Sequence, residues 1–590
     1  MSRPSRQRSA TGSITKAKRN CPTAAGPRIG PAAAGEGIKG IKAHLALVAI
    51  VFAFGASAVT ETVGLPKMML RLNSRNTFKP EQWATALKSI AENPGCCDEV
   101  WFSTGVAFPR IEWHLEHARR LQTVSEDVRR LGIAPSLQIQ VTIGHGDHIA
   151  AHEDISGKTW GSFTGPGGVE ARTCNCPRQP AFLDYYRRLS AAYAEAKPSR
   201  VWIDDDLRVS NHLPAVDGSS VGCWCATCIA AFNAETGGTW TRQTLSAAIR
   251  QNRELAAQWR KFSTDSLCAL ARVIVGEFRR VSPETRFGYQ FAFGDVPVVS
   301  EVLKTLHEAG GRPVGARLGG GVYYETNGAE AQIAKCFTAA RGRRDLGDPG
   351  FVDLWCEETE SWPRAYAARS GQNVLIEQMA AIACGMNSLS YFVTDPDSED
   401  DALYSRVILK PLAEAAPVLR GYLDDSRGTV PCGVTLPTTA SGEIYQFARI
   451  GIPVLPGWGR GTKPLAKSDV PFFIYDKPSA VIQKRRDEID RKAGGLPVKA
   501  ESPFIGLVQP RVTDAGELRT VGVFNVRIDS QGPLTLSLRN LPAGVRTALW
   551  RELRRPELKL PVGRTATGAS VTIPEISAWN AGYLSFSARD

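Results

Sequence analysis

Three carboxylates in a row, Asp204, Asp205 and Asp206, end the short apolar run Val201-Trp202-Ile203, and Cys223-x-Cys225-x-x-Cys228 follows in the same stretch. Acids at the end of an apolar strand are costly unless they face water, a metal or a substrate. Side chains alternate along a strand, so Val201, Ile203 and Asp205 share one face and Trp202, Asp204 and Asp206 the other. With the apolar pair turned to covering helices, Trp202, Asp204 and Asp206 point to the strand-end face. A helix N-cap or a calcium-binding loop is the plainer use of such a triplet.

A second acidic run, Glu357-Glu358-Thr359-Glu360, follows Asp353-Leu354-Trp355-Cys356. Simple alternation turns Glu357 inward if Leu354 and Cys356 face helices, and a bulge turns Glu358 inward instead. A solvated charged loop is the alternative. Two carboxylates meeting across a site are what glycosidic cleavage needs: one protonates the leaving oxygen while the other attacks or stabilises the anomeric carbon.

Cys223, Cys225 and Cys228 offer three thiolates from one loop. Cys176 or Cys174, in the upstream Thr173-Cys-Asn-Cys176, is the available fourth ligand for a tetrahedral structural zinc, with disulfides as the alternative. His145-Gly-Asp-His148 has the composition of a metal or substrate loop, although histidines in Gly-rich loops are commonly surface residues. Gly319–Gly321 lacks a phosphate-loop context and reads as a bulge. Nothing in the sequence implies an organic cofactor.

These groups need a frame. From Lys67 onward short apolar runs alternate with helical periodicity: strands 68–72, 99–103, 136–143, 201–203, 286–291, 314–324, 351–356 and 388–393, each followed by a helical pattern. Eight strand–helix pairs predict an α/β fold, a (β/α)8 TIM barrel over residues 65–425. A doubly wound open sheet is the alternative. Polar residues gather at nearly every strand end (Asn73, Ser103, His145, Asp204–Asp206, Gln290, Tyr323, Glu358), and a barrel brings all of these to one mouth. Beyond it, 426–505 reads as a small α/β module, and 506–590 alternates with period two as an antiparallel β-sandwich.

Residues 1–58 have the grammar of a signal peptide with a long basic n-region: an apolar run Leu45–Gly55, then Ala56-Ser57-Ala58. Export to the periplasm or medium is expected, with an uncleaved membrane anchor as the alternative and no membrane span after cleavage. That segment carries nine Lys/Arg against one acid, +8 of the net +12, so the basic balance gives no support to nucleic-acid binding.

Trp202-Ile203-Asp204-Asp205-Asp206, together with Cys223, Cys225, Cys228 and Cys176 or Cys174, resembles the family 42 β-galactosidases of the retaining glycosidase clan and their uncharacterised glycosidase-like relatives. The resemblance covers roughly residues 65–425. It implies a carbohydrate substrate, a structural zinc and a two-carboxylate mechanism. Asp206 stands where the family has its acid/base glutamate, and Glu358 would be the nucleophile with Glu357 the close second. Asp204, Asp205, Arg208, His145, Glu360 and Tyr323 would hold sugar hydroxyls, and a homo-oligomer is compatible. A catalytically inactive carbohydrate-binding barrel is one rival, prompted by aspartate at 206. A metal-dependent hydrolase using His145, Asp147, His148 and the Asp triplet is the other.

Overall fold

The first barrel strand, β1 (Met68–Leu72), pairs in parallel with both β2 (Glu99–Ser103) and β8 (Leu389–Phe392). Between them run β3 (Ala134–Ile139), β4 (Arg200–Ile203), β5 (Arg286–Phe291), β6 (Val314–Leu318) and β7 (Val352–Glu360), each paired with the next, so the sheet closes on itself. This is a TIM barrel, seen here in a computed structural model. It describes residues 64–590 except 148–152, 211–215, 217–220, 293–294, 362–367, 394–404, 467–476, 566–567 and 587–590. The leader and His148 lie outside the described residues. No helix among the described residues is long and apolar enough to cross a membrane.

Strands of such a barrel are apolar on both faces, because helices cover one side and layered side chains fill the other. Val201 and Ile203 join the core under the helices, while Trp202 fills the barrel with Met69, Trp101, Leu354 and Cys356. The rings of Trp101 and Trp202 stack with centroids 4.2 Å apart. Glycine gives Trp202 its room. A Cβ at Gly288 of β5 or Gly315 of β6 would come within 2.5 Å of the indole. Inward-facing Leu354 and Cys356 reverse the phase expected for β7: Glu358 and Glu360 continue the barrel face, and Glu357 turns outward to the helices.

The C-terminal part is a two-sheet sandwich, as the period-two pattern predicts. Among the described residues one sheet has seven strands and the other four. Their facing sides bury Val508, Val521, Val523, Leu536, Trp550, Val571 and Leu584. The pairing cuts across the boundary expected at 505/506. Thr429–Gly433 is a strand of the larger sheet, and Val498–Ala500 joins the smaller one. The outer face of the larger sheet rests on the last two barrel helices, Gly371–Ala383 and Lys410–Asp425. There Tyr422 stacks on Tyr583 at 4.4 Å and the Ser426 hydroxyl meets Thr520.

Candidate active site

The ends of β1, β3, β4, β5, β6 and β7 bring polar side chains onto the floor of the barrel mouth, and one guanidinium hydrogen-bonds two of the acids. Arg317 of β6 donates from Nη2 to Asp204 at 2.9 Å, from Nη1 to Glu358, and from Nε to Gln290 at 3.0 Å. Arg71 of β1 donates to Glu360 at 3.1 Å and to Gln138 at 3.3 Å, and lies 3.8 Å from Asp204 and 3.9 Å from Glu358. Gln138 and the Asp205 backbone N–H also donate to Asp204. Asp204, Glu358, Arg71 and Arg317 are all buried.

The two acids ionise differently. Burial and the neighbouring Asp205 push Asp204 up to about 6 despite Arg317 and Arg71. Burial would raise Glu358 as well, but the fields of Arg317, Lys335 and Arg71 outweigh it and hold the carboxyl below its ordinary range. A protonatable group beside a persistently ionised one is the division of labour that an acid and a nucleophile require.

Asp206 does not join this pair. The strand ends at Ile203, so alternation lapses in the turn that follows, and Asp206 swings to the β3 loop. Fully buried there, it accepts from Arg208 Nη1 at 2.6 Å and meets His145 Nδ1 at 3.2 Å. Burial opposes its ionisation, yet His145 and Arg208 prevail and hold its pKa down, while Asp206 raises His145 to about 9. The like-charge pressure expected to make Asp206 a proton donor is therefore overridden. Asp206, His145 and Arg208 form an ion cluster that fastens one mouth loop to another, and Arg208 adds a bond to the Gly144 carbonyl at 3.2 Å. Asp205, between the two fixed acids, is half-buried. Among the described residues its carboxylate accepts no hydrogen bond, and Arg208 is 3.9 Å away. Asp147 is spent on the hairpin after β3, accepting from Thr173 N at 2.8 Å and Arg172 N at 2.7 Å, which removes it from the metal-hydrolase constellation.

Glu357 lies behind the barrel wall. Its carboxyl is 3.1 Å from Lys335, which also binds Glu377 at 3.0 Å, and Arg369 donates to Glu377 as well. Burial and the neighbouring Glu377 push Glu357 well up, whereas Arg369 and Lys335 hold Glu377 at about 2 against the effect of burial. Lys335 also donates to the Glu358 carbonyl, so this cluster backs the very turn of β7 that presents Glu358. Glu377→Gln leaves two buried cations with one acid that resists ionisation. It should destabilise the fold by about 3–5 kcal/mol, read as a shift of the urea midpoint.

Glu360 and Tyr323 sit half-buried near Glu358, and the two acids raise the Tyr323 phenol, Glu358 most. Sequence reasoning missed Arg71, Gln138, Arg317 and Lys335. It also missed Glu153, a half-buried carboxyl of the β3 loop raised to about 7 by burial and by Asp206, against the pull of His145.

The cysteines resolve as a four-thiol cluster. The Sγ atoms of Cys176, Cys223, Cys225 and Cys228 lie within 4.8 Å of one another, with Cys176–Cys228 at 3.4 Å and Cys176–Cys225 at 3.5 Å. A disulfide needs sulfurs about 2.05 Å apart, and these cysteines are free. Zn–S bonds of about 2.3 Å in a tetrahedron put sulfurs roughly 3.8 Å apart, so the four fit a tetrahedral metal. Cys174 is excluded from the set: its Sγ packs beside Gly144, where an added Cβ would come within 2.8 Å of it. The cluster ties the hairpin Ser162–Thr164/Glu170–Asn175 to the start of the helix Ala226–Thr236, and thus the loop after β3 to the loop after β4.

No family model matches the sequence, and no curated protein does. Solved structures do. A catalytic mutant of Gan42B, a GH42 β-galactosidase from G. stearothermophilus, superposes with a TM-score of 0.53 at 12% identity, over 90% of this chain and 100% of that one. The fold is that of a GH42 β-galactosidase. A second structure of Gan42B agrees, with a TM-score of 0.53, 12% identity and coverage of 88% and 98%.

Proposed function

We propose that the chain is a glycoside hydrolase in which Glu358 is the nucleophile and Asp204, rather than Asp206, is the general acid/base. The observation that carries this reading is the shared guanidinium. Two carboxylates at the ends of β4 and β7 bind neighbouring nitrogens of Arg317, one pushed up to about 6 and the other held down. Carboxyls this close suit the retaining geometry, about 5–5.5 Å, better than the wider inverting one. Asp205, Tyr323 and Glu360, the last also held by Arg71, would meet sugar hydroxyls. The likeness to GH42 β-galactosidases supports a carbohydrate substrate, and a β-galactoside is the first to try. The four thiols would hold a structural zinc. A closed four-thiolate site offers no open coordination position, so its contribution is to fix the two mouth loops.

The pH dependence follows from the pair. Asp204 must be protonated to donate, so kcat/KM is lost as pH rises through about 6. Glu358 must be ionised to attack, so the acid limb falls below the ordinary carboxylate range. A screen of nitrophenyl glycosides finds the substrate, and kcat/KM against pH on it reads both limbs. Asp204→Asn should remove the alkaline limb. If Glu153→Gln removes it instead, the acid is Glu153, and if Asp206→Asn does, it is Asp206.

One observation favours a second reading, a barrel that binds carbohydrate without cleaving it: Arg317 already occupies an oxygen of each acid. Calorimetric binding of a glycoside that is never cleaved, by a folded protein tested across the screen, would select that reading.

A further inference from the structure

Two acids at the end of β7 are each held at both ends. On the barrel face the Glu358 carboxylate accepts from Arg317 and the Glu360 carboxylate from Arg71. On the outer side two further cations hold their backbones. The last register pair between β6 and β7 is Leu318 with Glu357. Of the carbonyls beyond it, that of Glu358 accepts from Lys335 and that of Glu360 from Arg369 at 3.2 Å. Lys335 comes from the helix Gly328–Asp345, and Arg369 stands just before the helix Gly371–Ala383. Both side chains are fully buried. Their acids do not balance them. Glu377 accepts from both cations; burial opposes its ionisation, yet Arg369 and Lys335 hold it at about 2. Glu357 lies 3.1 Å from the same ammonium. Two carboxylates crowded on one buried cation repel, so one keeps its proton, and burial together with Glu377 makes that one Glu357. Behind the wall, then, two cations meet one carboxylate. The surplus charge lies against Glu358: burial works against ionisation there, and among the charges that overcome it Lys335 is second only to Arg317.

We propose that Lys335 is a positioning residue for the nucleophile: from outside the barrel wall it holds the Glu358 backbone, and its charge, which the outer acids only partly offset, backs the reactive carboxylate. This rests on the glycosidase reading above. Lys335 touches neither the barrel interior nor a substrate, so it acts only through Glu358. On the mouth side the charged and titratable groups around Glu358 are Arg317, Arg71, Asp204, Asp205, Glu360 and Tyr323. A substitution behind the wall leaves all six in place, and a change in the titration of Glu358 is then owed to Lys335. A neutral residue at 335 leaves Glu377 with Arg369 and Glu357 with its proton, so no buried acid is stranded.

The test compares kcat/KM against pH for the wild type, Lys335→Met and Glu357→Gln on the nitrophenyl glycoside that the wild type cleaves fastest, each point checked for full recovery on return to neutral pH. Lys335→Met should move the acid limb up by about one pH unit and leave the alkaline limb, set by Asp204, in place. Lys335→Gln keeps an N–H donor and drops the charge; it should shift likewise, and it carries the test if the Met variant does not fold. Glu357→Gln should leave both limbs where they are, because an amide replaces an uncharged acid. An acid limb unmoved in the Lys335 variants, or a loss equal at every pH, overturns the proposal while the glycosidase reading stands. So does an acid limb moved down in Glu357→Gln, the sign of an ionised Glu357 cancelling Lys335. If no glycoside is cleaved, carbodiimide coupling at Glu358, mapped by mass spectrometry, takes the place of the rate, since coupling needs a protonated carboxyl. An onset about one pH unit higher in Lys335→Met keeps the hold of Lys335 on Glu358 while the glycosidase reading fails, and an unmoved onset sinks both.

Discussion

Glu358→Gly should abolish glycoside turnover, by on the order of 10⁴-fold or more, and added azide should restore it with release of a glycosyl azide of inverted anomeric configuration. Azide takes the space that the carboxylate leaves, attacks the anomeric carbon from the same face, and is not hydrolysed onward. Rescue therefore reports the nucleophile and not merely a damaged fold. Arg317 keeps Asp204 as partner in this variant, so the floor is not left with an uncompensated cation, and circular dichroism should match the wild type. Asp204→Asn should behave differently. Turnover falls by about 10²–10⁴-fold on glycosides with poor leaving groups and far less on nitrophenyl glycosides, because a good leaving group needs no proton. Asp206→Asn should loosen the loops that Asp206 binds through Arg208 and His145, with equal loss on both kinds of substrate. An unimpaired Glu358→Gly enzyme would remove Glu358 from the mechanism.

Metal removal should have the next largest effect. One zinc per chain is expected, lost on chelation in mild denaturant or in Cys225→Ser. Structural zinc in small domains contributes about 10–16 kcal/mol to folding. Spread over the unfolding entropy of a chain this long, the lower figure corresponds to a fall in Tm of roughly 10 °C. Molecules that remain folded should keep turnover, since the four thiols touch neither Asp204 nor Glu358. Differential scanning calorimetry with metal analysis of the same samples checks this. An unchanged Tm in verified zinc-free protein counts against a structural site.

The strand–helix frame was legible because short apolar runs between helical patterns have few other readings. β1, β2 and β5 begin and end at the residues expected. The sequence picked out the loops that meet at the mouth, and Glu358 within them, but not which of the three aspartates shares its guanidinium. Alternation selects Asp204 correctly, since that residue still obeys the strand's phase, and fails two residues on, where the chain has turned. In β7 it fails for a different reason. Leu354 and Cys356 inside the barrel are apolar and so is Trp355 beneath the helices, and in a strand buried on both sides hydrophobicity carries no phase. Two of the residues missed altogether had a readable signal. Arg71 in Met68-Met-Leu-Arg-Leu72 and Arg317 in Val314-Gly-Ala-Arg-Leu318 are lone cations near the ends of apolar strands, and a charge is buried in such a place only when it is paired. Each therefore announced a carboxylate partner elsewhere at the mouth. Lys335 gave no such sign, because a lysine in an amphipathic helix is unremarkable until the helix is docked.

The pairing of β1 with β8 has a kinetic side. The seam is sealed by contacts such as the Ser388 hydroxyl on the Pro66 carbonyl, 322 residues apart in the chain. Such separations give a high contact order, and the loop entropy must be lost before the contact can repay it. During synthesis β1 emerges first and finds its second neighbour only after the other seven strands have been made, so until then it is an open edge with its hydrogen-bonding groups unpaired. An open edge is a template for another chain. The nascent protein is therefore most prone to associate with its own copies just before the barrel closes, and slower elongation through residues 330–390 should lengthen that exposure.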